Sequence, residues 1–77
     1  MNFSDFTDGD NTKRFDYDSN GNVIYAGSAA PGTASSAAAW SIKRYTYVGG
    51  NVTVIEWAGG DNRMASIWDN RAGLSYA

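Results

Sequence analysis

The chain contains no cysteine and no histidine. The first absence excludes disulfide staples and a catalytic thiol. Together the two remove Cys/His zinc sites and every triad built on an imidazole base. No apolar run approaches the roughly 18–20 residues that a membrane span needs, and the opening MNFSDFTDGD has neither the basic start nor the apolar stretch of a signal peptide. A soluble chain made in the cytoplasm is the expectation, and the missing cysteines suit it. An excess of charge is lacking as well. Six Lys and Arg stand against eight Asp and Glu, and the basic residues are scattered singles and pairs, so a nucleic-acid surface is not indicated. Aliphatic side chains are few: four Val, four Ile and one Leu.

What the 77 residues do contain is three Trp, five Tyr, three Phe and nine Gly, a mixture that favours short strands and turns over helices. A core of this size rarely supplies more than about 3–5 kcal/mol, so help from association is expected. The predicted class is all-β: a small antiparallel sheet of two β-hairpins plus a C-terminal strand over residues 15–77, preceded by an extended arm, residues 1–14. Phe3 and Phe6 are the large aromatic groups of that arm, which reads either as a frayed terminus or as a clasp whose Phe3 and Phe6 plug into a neighbouring subunit.

Aromatic and β-branched residues flank Asn20-Gly21, which predicts strands over 14–18 and 22–26 joined by a type I′ turn. Residues 26–39, AGSAAPGTASSAAA, hold nothing larger than proline and read as a compact loop running into the next strand. The stretch that follows alternates, with Trp40, Ile42, Arg44 and Thr46 on one face and Ser41, Lys43, Tyr45 and Tyr47 on the other. Gly49-Gly50 reverses it, and NVTVIEWA returns as the partner strand, placing Glu56 opposite a basic residue. Beyond the turn at 59–62, Met64, Ile67 and Trp68 fit either a helical turn or a short strand, while residues 72–76 alternate as a strand.

Four chemistries are worth weighing against these elements. In DYDSNGNVI, Asp16, Asp18, Asn20, Gly21 and Val23 match the first, third, fifth, sixth and eighth positions of an EF-hand loop. The twelfth position is Gly27, though, and the flanks read as strands, so a hairpin corner is the expectation and neither a metal nor a cofactor is predicted. Carboxylate pairs for glycoside hydrolysis can be drawn from Glu56, Asp61 and Asp69, but so short a chain has little material for a cleft. The Gly-Gly stretches lack the Lys-Ser/Thr of a phosphate loop. Trp40, Trp57 and Trp68 fit either of two uses: core or subunit interface, or stacking platforms for carbohydrate.

Residues 15–27, FDYDSNGNVIYAG, are echoed by residues 45–60, YTYVGGNVTVIEWAGG. The echo resembles the YD repeats of Rhs-type proteins locally, with Tyr47-Val48 departing from Tyr-Asp. A wider resemblance covers residues 17–77. The succession YDSNGNVIYAGSAAPGTASSAAAW, SIKRYTY, GNVTVIEWAGG and IWDNRAGLSYA is similar to a family of small virion-associated structural proteins of tailed bacteriophages. That resemblance implies a non-enzymatic part of the virion, in capsid decoration, neck, tail or fibre attachment, assembled in the bacterial host cytoplasm. Its partners would be other virion proteins and further copies of itself, with no nucleic acid and no membrane. The residues expected to make contacts are Phe3, Phe6, Trp40, Trp57 and Trp68.

Overall fold

The computed structural model describes residues 11–77. Phe3 and Phe6 lie outside the described residues. Five strands follow in order: β1 (Thr12–Tyr17), β2 (Val23–Ala29), β3 (Ala38–Val48), β4 (Asn51–Trp57) and β5 (Ser66–Ile67), and the chain then turns into a 3-10 helix, Trp68–Gly73. The sheet is antiparallel in the order β1-β2-β3-β4, with β5 pairing the start of β3. The all-β class and the two hairpins are as the sequence predicts.

The hairpin corners differ in chemistry. Gly49 and Gly50, at φ of +60° and +85°, form the two-residue reversal between Val48 and Asn51, as a type I′ turn requires. At the first corner only Gly21 has positive φ, so the predicted type I′ turn is not formed there. Instead the Gly21 amide donates to the Asp18 carbonyl at 3.1 Å, and the Asp18 carboxylate accepts the amides of Asn20 and Asn22 at 2.8 and 3.0 Å. An aspartate that can bond its own downstream backbone removes the need for a left-handed Asn20.

Two other boundaries move. Strand β1 begins at Thr12, so residues 12–14 belong to the sheet rather than to the arm. The small-residue stretch is a loop only over residues 30–37, because its first four residues continue β2 and its last two open β3. The cause is tertiary. Gly27 and Ala29 lie on the face that receives Trp68 and Trp40, where any larger side chain would displace an indole. The loop is tied down in turn by the Trp40 indole, whose Nε1 donates to the Ala34 carbonyl at 2.9 Å.

The final strand lies at Ser66–Ile67 and not at residues 72–76, which contribute the end of the 3-10 helix and a single bridge from Tyr76 to Ala58. This C-terminal segment closes one face of the sheet. Ala29, Trp40, Ile42, Ala58 and Trp68 form the buried cluster, with Tyr25, Leu74 and Tyr76 packed against it. Trp40 and Trp68 meet at 6.0 Å with planes tilted by 44°, an arrangement worth about 0.5–1.5 kcal/mol beyond the area it buries. Arg71 Nε donates to Asp16 on β1 at 3.0 Å, and the Tyr76 hydroxyl donates to the Arg71 carbonyl at 2.7 Å. The covered face is thus sealed by the chain's own end.

Candidate functional site

Strand alternation leaves the opposite face without such a cover among the described residues. On β3 it presents Ser41, Lys43 and Tyr45; the register adds Ser28 and Ala26 from β2, Lys13 and Phe15 from β1, and Trp57 and Ile55 from β4. Here the sheet holds a groove of about 380 Å³. Its floor is made of small residues, Ala26 and Ser41, both buried, while Phe15, Tyr45, Trp57 and Met64 form its walls. Phe15 and Met64 remain 52% and 46% exposed, which is unspent apolar surface.

Among the described residues, two lysines line the groove and no carboxylate does. The Lys43 ammonium sits 5.3 Å from the Trp57 ring centre and 5.9 Å from that of Tyr45, a cation held between two aromatic faces. Lys13 donates to the Ser28 hydroxyl at 3.1 Å. The groove is therefore amphipathic and carries positive charge.

The second unspent surface is the outer part of the β3–β4 hairpin. Val48, Val52, Val54 and Ile55 are 65%, 45%, 45% and 50% exposed. β4 is a sheet edge, and no charged side chain occurs from Asn51 to Ile55, whereas the edge at β1 carries Lys13, Arg14 and Asp16. Charge is the usual guard of an exposed edge, and β4 has a bulge in its place: Thr46 pairs with Val54 and Tyr47 with Val52, so Thr53 is the extra residue.

The candidate ligands for an ion are committed elsewhere. Asp16 is bound to Arg71 and Asp18 holds its own turn. Among the described residues no three His, Cys, Asp or Glu side chains gather in a way that could hold a metal. The carboxylates considered for hydrolysis are also occupied in part. Glu56 accepts from Arg44 at 2.7 Å across the β3–β4 pair, on the covered face. Asp61 accepts from Arg63 at 2.8 Å, and that guanidinium and the Arg63 amide hold its carboxyl below the usual carboxylate value. The chain carries Asp-Asn-Arg twice, at residues 61–63 and 69–71, and uses the two differently: Arg63 pairs within its own triplet and Arg71 reaches across to β1.

Of the three tryptophans, Trp40 and Trp68 fill the core and only Trp57 lines the groove. The structure therefore divides a set that the sequence presents as equivalent. Phe15, Lys43, Tyr45 and Met64 join Trp57 there. The alternation of β3 already separates Lys43 and Tyr45 from Trp40 and Ile42, but which of the two faces stays open depends on where the C-terminal segment lies. No protein-family model, curated protein or solved structure matches the chain.

Proposed function

We propose that this chain is a non-enzymatic structural component of a tailed-bacteriophage virion, acting through self-association and contacts with other virion proteins. The observation that carries the associative part is the β3–β4 hairpin, where four aliphatic side chains and an uncharged strand edge are left to solvent in a domain with very few aliphatic residues to spend. Before Trp57, whose amide and carbonyl already pair with Ala77, such an edge can accept a further strand. The virion is supported by the order of sequence blocks from NVIY through Ala-Pro-Gly-Thr-Ala and AAW to the terminal IWDNR and SYA. Mass spectrometry of purified particles, followed by cross-linking to find its neighbours, tests the reading. Absence of the chain from particles overturns it.

A carbohydrate-binding module is the second reading, favoured by Trp57 beside Tyr45 above the hydroxyls of Ser28 and Ser41. Against it, Lys43 already lies close to the Trp57 ring, so a sugar stacking there must compete with an ammonium. The buried positions of Trp40 and Trp68 also reduce a three-tryptophan platform to one. Glycan binding lost in Trp57→Ala supports this reading over the first.

A further inference from the structure

On the open face, residues stand in ranks across the sheet. Phe15, Ala26, Lys43 and Trp57 lie side by side on β1 to β4, and Lys13, Ser28 and Ser41 form the next rank. Strand β2 contributes only the small side chains of Ala26 and Ser28, so the groove is a slot along β2, with Phe15 on one side and Lys43 on the other. Strands β1 and β3 are two spacings apart, about 9–10 Å, which leaves room for one ring set on edge between their side chains. The volume of about 380 Å³ lies near the lower end of ligand sites, roughly 300–1,000 Å³, and suits a single ring rather than a chain of them.

Polar groups in this slot lack partners of their own. Ser41 is only 7% exposed, yet its hydroxyl makes no hydrogen bond among the described residues. A hydroxyl so deeply placed ordinarily has a partner, and the groove that Ser41 lines is where one would sit. The Ser28 hydroxyl accepts from Lys13 and keeps its own proton to donate. Lys43 rests against the rings of Trp57 and Tyr45, and no carboxylate among the described residues pairs with it. We propose, on the carbohydrate reading above, that the slot binds one sugar ring bearing a carboxylate. Its apolar face lies on Phe15, its carboxylate on the Lys43 ammonium and a hydroxyl on Ser41.

Each part of that ligand answers a feature of the slot. Phe15 is 52% exposed directly across Ala26 from Lys43, so a ring can stack there without displacing the ammonium from Trp57. A carboxylate turns that ammonium from a competitor into a partner through a charge-assisted hydrogen bond. A neutral sugar leaves Lys43 unanswered, and a bare anion leaves Phe15 and Ser41 unanswered. A place in the virion is not required.

The test titrates the full chain with two acidic sugars, methyl glucuronide and the methyl glycoside of N-acetylneuraminic acid, followed by amide and indole NMR. Methyl glucoside is the neutral control and acetate the bare anion. At least one acidic sugar is expected to shift Phe15, Ser41 and Lys43, to leave the Trp40 and Trp68 indoles unmoved, and to bind roughly tenfold or more tightly than methyl glucoside. Its affinity should fall as salt is raised. Lys43→Gln should bring it down to the level of the neutral sugar, Lys43→Arg should retain it, and Ser41→Ala should weaken both kinds of sugar. Unmoved Trp40 and Trp68 indoles in each variant show that the fold is kept; where they move, the comparison of ligands on the native chain decides. Equal affinity for acidic and neutral sugars overturns the proposal and leaves the carbohydrate reading standing. No shift with any of the three sugars overturns both. Acetate that reproduces the shifts at the affinity of the acidic sugars also overturns the proposal, because the slot then selects only an anion.

Discussion

A β-carbon added to Gly27 would lie 2.6 Å from Cε3 and 2.8 Å from Cζ3 of Trp68. The hydrogen of Gly27 is what lets the C-terminal segment rest on β2. The Gly27 backbone is not in the left-handed region, so alanine there is a purely steric change against a ring wedged between two strands and Trp40. Gly27→Ala is expected to destabilise the domain by about 1–3 kcal/mol, read as a lowered urea midpoint. Trp68→Leu in the same background should recover part of that loss, since the two sites share one contact. Additive losses in the double variant would show that the clash is relieved elsewhere.

The Asp16–Arg71 pair joins residues 55 apart in the chain, on side chains that are 33% and 27% exposed. Arg71 also covers Trp68, with its guanidinium carbon 4.6 Å from the ring centre. Asp16→Asn is expected to cost about 0.2–1 kcal/mol, the range for a partly exposed pair. Arg71→Ala should cost more, because it uncovers an indole as well as breaking the pair. Since Asp16 is occupied by Arg71 and Asp18 by its own turn, the thermal midpoint should be equal in excess calcium and in excess chelator. A rise with calcium would return both carboxylates to the role of ligands.

The two hairpins are legible because their information is local. Gly49-Gly50 dictates a reversal by backbone preference, and alternation from Trp40 to Tyr45 dictates a strand. What the sequence conceals depends on distant partners. Gly27 and Ala29 look like loop residues because nothing beside them in the chain reveals that two tryptophans need room above them. Residues 72–76 alternate like a strand, yet the packing of Trp68 and the reach of Arg71 wind residues 68–73 into a 3-10 helix, leaving only the bridge at Tyr76. The open groove was hidden for the same reason. Both faces of β3 mix apolar and basic groups, and only the course of the C-terminal segment selects the one that is covered.

Tyr76 packs against Tyr25 at 5.8 Å between ring centres and lies under Arg44. Burial, helped by Tyr25 and opposed by the two nearby arginines, pushes its phenol up from 10.0 to about 12. The folded state therefore holds this proton more tightly than the unfolded state does. Its contribution to stability is complete below 10.0, falls as pH rises past that value, and is gone above about 12. Ultraviolet titration should show one late tyrosinate that vanishes in Tyr76→Phe, and the alkaline fall in stability should become shallower in the same variant. An unchanged titration curve would place the late phenol elsewhere.

The edge at β4 yields the prediction that bears most directly on association. Val54 and Ile55 point to opposite faces of an uncharged strand and are 45% and 50% exposed. Placing Lys at either position adds the guard that natural edges carry, without entering the core. Val54→Lys and Ile55→Lys are expected to leave the fold intact and to weaken self-association in sedimentation equilibrium by roughly tenfold or more, the equivalent of about 1.4 kcal/mol. Lys13→Val, which strips charge from the opposite edge, supplies the comparison, because it adds apolar surface where β1 is otherwise guarded. If the native chain stays monomeric across the accessible concentrations and Val54→Lys changes nothing, the β4 edge is not a self-association surface. The associative part of the proposed function would then lose the observation that carries it.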